Sequence, residues 1–162
     1  MLVVLQDTVE VSKAGTTVWL PARLDQVFRP GDRLRTGPAS RAEVRLSNLS
    51  VLPVNASTTL TFEAPAVDGG QPILNLSRGS VYFQSRDRPR EIQFRTRLAS
   101  GAVRGTEFHL SVEEDDRTVL TLLDGEVDLS NEQGQVTLAR GEQGVVEAGK
   151  APVKTAVLDA IN

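Results

Sequence analysis

The chain has 162 residues, enough for one domain and short for two. Hydrophobic residues make up 40% and charged residues 24%, so a real core can be buried and wholesale disorder is excluded. A net charge of -3 argues against a general attraction to nucleic acid or anionic lipid, and zero cysteines exclude disulfides, thiol catalysis and thiolate zinc sites.

Aromatic residues are only 4%, so the core must be built from Leu, Val, Ala and Ile. No stretch approaches the roughly 20 consecutive apolar residues of a membrane-spanning helix. The apolar start, Met1 to Leu5, is too short for a signal-peptide core, so any export signal is expected to lie outside this sequence.

Taken in chain order, period-2 alternation recurs throughout and no long amphipathic helical pattern interrupts it. Strands are predicted at Thr8–Val11, Thr17–Leu20, Ala42–Leu46, Val81–Phe83, Glu91–Arg95 and Glu107–Val112. Further strands follow at Thr118–Leu123, Glu126–Leu129, Gln135–Leu138 and Gln143–Glu147. Turn residues separate them: Pro30-Gly31-Asp32, Gly37-Pro38, Asp68-Gly69-Gly70, Asp124-Gly125, Gly134 and Gly141. Pro53, lacking an N–H, is expected on an edge strand or a bulge. The pattern predicts an all-β fold: a short-stranded β-roll, sandwich or solenoid-like domain. Arg35-Thr36, Ala39-Ser40 and Ala42 recur as Arg95-Thr96, Ala99-Ser100 and Ala102, which suggests an internal duplication.

Candidate chemistry is sparse. Glu107, His109 and Ser111 share one strand face, but residues two apart on a strand sit about 6.5–7 Å from each other, beyond hydrogen-bond reach. His109 is also the only histidine, so no other base could complete a serine triad. Glu113 to Asp116 lacks the alternate spacing and central glycine of known calcium loops, and a polar hairpin tip is the better reading. Asn48, Asn55 and Asn75 each open an Asn-x-Ser pattern that carries no weight by itself. No catalytic residue, metal ligand or cofactor site is expected, and the chain is not read as an enzyme.

The one sharp charge bias is Arg86, Arg88, Arg90, Arg95 and Arg97, continued by Arg104. Guanidinium forks suit carboxylates and phosphates, so these arginines are the candidate binding face. The competing reading is an edge strand guarded by charge. Nucleic acid is disfavoured, because interleaved exposed aromatics are missing.

Val103-Arg104-Gly105-Thr106-Glu107-Phe108-His109-Leu110 resembles the Gly-Thr-x-Phe-x-(Val/Leu) signature of the FecR domain family. Pro30 to Gly37 resembles that family's opening turn, Ala39 to Leu46 its next strand, Leu122 to Leu129 its Leu-x-Gly-x-Val hairpin, and Leu138 to Gly144 its closing turn. Together these motifs cover about residues 8 to 150. Two departures stand out: Asn48-Leu49-Ser50 replaces a frequent Asp-Gly-Ser, and the anti-sigma and membrane helices of signalling members are absent from this sequence.

The resemblance implies a periplasmic or extracellular domain that receives a signal through a protein or peptide partner. It divides the chain into a β domain over 1–150 and a tail over 151–162 that begins a linker or helix, with Val157, Leu158 and Ile161 on one face. Within the signature, Arg104, Gly105, Thr106 and Phe108 are read as structural, Gly105 supplying a positive φ or a close backbone approach. Two functions therefore stand: a non-enzymatic recognition module in signalling or surface assembly, and a scaffold that self-associates or packs on helical repeats.

Overall fold

A computed structural model describes residues 1–46, 50–65, 73–85 and 90–156. Within them the fold is all-β, and no helix occurs. The first strands are short: β1 (Leu2–Gln6), β2 (Val9–Ser12), β3 (Leu20–Pro21), β4 (Arg33–Thr36), β5 (Arg41–Arg45), β6 (Val51–Val54) and β7 (Thr59–Glu63). Longer ones follow: β8 (Ile73–Gln84), β9 (Arg90–Arg95), β10 (Ser100–Val112) and β11 (Thr118–Asn131). The chain then runs through β12 (Gly134–Ala139), β13 (Glu142–Val146) and β14 (Val153–Ala156).

Alternation sorts the side chains as the sequence predicts. Ala42 and Val44 of β5, Leu60 and Phe62 of β7, and Leu120 and Leu122 of β11 turn inward and are buried, while their neighbours face out. Leucine and valine supply most of the core, as the low aromatic content requires. The scarce aromatics are concentrated: Phe108 stacks on Phe83 at 5.1 Å between ring centroids and lies 6.5 Å from Phe94. A second pair, Phe28 and Phe62, stacks at 4.6 Å.

Among the described residues all fourteen strands join one mixed sheet, whose main path runs β14-β13-β11-β10-β9-β8-β7-β4-β2-β3. It curls because three strands each pair with the other two. The start of β8 lies parallel to β9 (Leu74↔Phe94), its end is antiparallel to β10 (Val81↔Leu110), and β9 is antiparallel to the start of β10 (Ile92↔Val103). The three longest strands, β8, β10 and β11, bend, and each breaks its alternation at a glycine. In β10 the buried positions shift from Val103 and Gly105 to Phe108 and Leu110; in β11 they shift from Leu120 and Leu122 to Val127 and Leu129. The extra residues keep the apolar face inward on both sides of the bend.

Three local expectations change. Asp124-Gly125 is not a turn between two strands but the bend inside the continuous β11, with Gly125 at φ 127. A hairpin would have to reverse the chain there, whereas both arms continue to pair with β10. Of the strand expected at Thr17–Leu20, only Leu20 pairs, beside Pro21, with β2. Pro53 is not on an edge: β6 lies between β5 and β8. Its missing donor is accommodated instead by a gap, since β6 meets β8 only at Val51 and Val54.

The two repeated segments both run strand, turn, strand, yet they are used differently. β9 and β10 pair with each other, whereas β4 pairs with β2 and β7 and β5 pairs with β1 and β6. The turn expected at residues 68–70 and the helix face expected in the tail lie outside the described residues.

Candidate functional site

The best-framed part of the candidate binding face is the turn from β9 into β10. Thr96 holds it from inside: its N–H donates to the Ala99 carbonyl at 2.8 Å, and its Oγ1 accepts from the Ala99 N–H at 3.2 Å. The same Oγ1 lies 2.9 Å from Thr118 Oγ1, and both threonines are buried. Buried hydroxyls satisfied in this way lock a tight turn at little cost.

Arg95 and Arg97 project outward from this frame. Arg95 Nη1 donates to Glu63 Oε1 at 3.0 Å, and Arg97 Nη1 donates to Asp116 Oδ2 at 3.2 Å. Their side chains remain 53% and 77% exposed, so water competes strongly for both ion pairs. A shallow groove of about 410 Å³ runs beside them, bordered by Ser100, Asn131, Gln133 and Glu147. The site can therefore offer two guanidiniums, each tethered to a carboxylate that an incoming acid would displace or join.

The other predicted arginines do not extend this picture. Arg90 opens β9 opposite Gly105, and Arg86 and Arg88 lie outside the described residues.

The signature residues serve the fold. Gly105 is buried opposite Gly125, and a Cβ on it would strike the Asp124 carbonyl oxygen and approach Gly125 Cα to 3.0 Å. Close backbone approach, not a positive φ, is thus the reason for Gly105; the positive φ belongs to its partner Gly125. Thr106 Oγ1 donates to Asp124 Oδ2 across the same bend, Phe108 is 1% exposed, and Arg104 faces solvent.

Glu107, His109 and Ser111 occupy the outer face half-buried, with His109 opposite Tyr82 and Thr121. Burial lowers the pKa of His109, so its ring is neutral at neutral pH. Among the described residues no three His, Asp or Glu side chains gather as a metal site. The acidic tip is tied up by cations: Glu113 accepts from Arg117 at 3.0 Å and Asp116 from Arg97.

A second constellation escapes a motif-by-motif reading. Trp19 carries two guanidiniums on its ring, Arg35 at 4.1 Å and Arg33 at 4.8 Å from the centroid, and Arg35 also donates to Glu10 at 2.9 Å. The available signal was Arg33-x-Arg35, two cations on one face of a strand, but nothing in the sequence brings Trp19 to them.

No helix among the described residues is long and apolar enough to cross a membrane. Residues 32–128, more than half of the chain, match the family described as FecR protein. Two crystal structures described as an anti-sigma factor from Parabacteroides distasonis ATCC 8503, at 2.50 and 1.65 Å resolution, share the fold. Each has a TM-score of 0.63 and 20% identity, over 77% of this chain and 59% of that one. This chain thus corresponds to less than two thirds of that protein's length. None of the curated proteins matches the sequence.

Proposed function

The chain belongs to the FecR family, and on that premise we propose that it is a non-enzymatic recognition module, periplasmic or extracellular, that binds a protein or peptide in signalling or surface assembly. The observation that carries this reading is the Arg95–Arg97 turn, where a buried threonine frame presents two exposed guanidiniums beside a groove. A tight turn that presents two exposed guanidiniums suits recognition of a carboxylate-bearing partner, because its backbone needs no ordering on binding. The anti-sigma description of the structural neighbour is in keeping with a regulatory partner.

A scaffold reading is favoured by one feature: all four residues of the edge strand β14 are exposed, which leaves a sheet edge open to association.

The deciding experiment is capture from periplasmic extract by the wild type and by Arg95→Glu with Arg97→Glu, at low and moderate salt. Loss of the captured proteins in the double variant, and weakening with salt in the wild type, is the expected result. Capture of the same proteins by both at both salt levels would reduce the arginines to a solvated edge.

A further inference from the structure

We propose that the open flank of the sheet at residues 18–27 docks an apolar segment of a partner protein that carries carboxylates beside its apolar side chains. The proposal rests on the recognition-module reading and supplies it with a second face, on the side of the sheet that ends in β3.

Four large aliphatic side chains stand out here, Val18, Leu20, Leu24 and Val27, each between 55% and 63% exposed. Among the described residues, only Val153 is a further large hydrophobic with comparable exposure, and Met1 is less exposed. A lone exposed leucine means nothing, but four within ten residues of chain is a concentration that soluble surfaces avoid. The register explains Leu20. It pairs with the buried Val11, so its side chain lies on the core side of the sheet, yet the sheet ends there and nothing covers it. The segment is also held in place. Leu2 N–H donates to the Gln26 carbonyl and Asp25 N–H to the Leu2 carbonyl, at 2.9 and 2.8 Å.

Beside Val27 lies a hollow of about 600 Å³, bordered by Lys13, Ala14, Arg29, Pro30 and Asp32. Its acid is already satisfied: Asp32 is buried and accepts from the Ala14 N–H at 2.9 Å and the Arg29 N–H at 2.8 Å. That leaves apolar walls with cations at the rim. Among residues 13–29, Lys13, Arg23 and Arg29 are exposed against the single exposed acid Asp25, and Glu10, opposite Pro21, is already paired with Arg35, in a chain whose net charge is -3.

This charge selects the occupant. Two copies of the chain set face to face would bring the cations together, whereas an apolar segment with adjacent carboxylates meets both the aliphatic surface and the rim. Recognition is by side chains and not by strand addition. Ala22 N–H donates to the Val9 carbonyl, so the preceding Pro21 turns its backbone away from β2, and a proline offers no donor there.

Trp19 lies on the opposite side of the sheet, against Arg33 and Arg35, so binding is followed on the ligand and not on the tryptophan. The probe is a short synthetic peptide alternating leucine and aspartate, with a fluorophore at one end, whose anisotropy is followed as the protein is titrated. Its counterpart, with lysine in place of aspartate, and labelled phosphatidylglycerol vesicles, followed by co-sedimentation, are tested in parallel.

The expected result is a saturable change with the leucine–aspartate peptide. It should weaken at least about tenfold in Leu20→Ser with Val27→Ser, since two aliphatic contacts are lost. It should stay unchanged in Arg95→Glu with Arg97→Glu. Both altered flank positions are exposed, so the variant should keep the wild-type melting temperature. Equal affinity in the flank variant, equal binding of the lysine peptide, or no saturable response would each overturn the proposal. So would a response to the vesicles alone, or a wild-type dimer in sedimentation that the flank variant abolishes. Capture through the Arg95–Arg97 turn is measured separately, so either face can fail without the other.

Discussion

Two places on the β9–β10–β11 sheet show how differently a strand can be constrained. At Gly105 the β10 backbone packs on the backbone of Asp124 and Gly125, and no side chain intervenes. At Arg95 and Arg97 the contacts are made by the far ends of long side chains, through ion pairs that water already reaches. Backbone atoms of a paired strand cannot give way without separating the sheet. A guanidinium that loses its carboxylate simply returns to solvent. The first place therefore fixes the fold and tolerates almost nothing, while the second is free to be tuned toward a partner.

The comparison is broken most forcefully just beyond the bend. Phe108→Ala removes the ring that joins Phe83 and Phe94 and should cost about 3–5 kcal/mol, measured by urea unfolding. A loss below about 1 kcal/mol would mean that the aromatic cluster collapses to fill the gap.

Gly105→Val comes next. Its side chain would enter the Asp124–Gly125 backbone, and we expect a loss of about 3 kcal/mol, far more than from His109→Ala on the outer face. Equal melting temperatures for these two variants would show that the strands can separate at the bend at no cost.

Arg95→Glu with Arg97→Glu should leave stability within about 0.5 kcal/mol per site, because both side chains are mostly exposed. A cooperative loss well beyond that would make the turn a structural element and remove the contrast with Gly105.

The smallest effect is a pH dependence. The folded state holds the pKa of His109 below 6.5, so the unfolded chain takes up its proton first as the pH falls. Stability should be fullest above pH 6.5 and should decline below it, until the folded state protonates as well. His109→Gln should flatten that part of the stability–pH profile relative to the wild type. An unchanged slope would assign it to other groups.

Alternating apolar residues were enough to determine that the chain is all-β and which side chains form its core, because a strand with one buried face must repeat every two residues. The ordered motifs were enough to identify the family, and Phe108 could be read as structural from its position in the signature. Tertiary structure alone decided that Asp124-Gly125 bends one strand instead of joining two. A glycine after an aspartate permits either outcome, and the choice depends on whether both arms find β10. The same holds for Pro53, whose missing donor excludes only one hydrogen bond, and a gap toward β8 removes that conflict from an inner strand. Arg33 and Arg35 meet Trp19, and Leu20 reaches the end of the core, only because β2 brings β3 and β4 to its two sides. Contacts between segments distant in sequence leave no period in either segment, so they are settled when the sheet closes and not before.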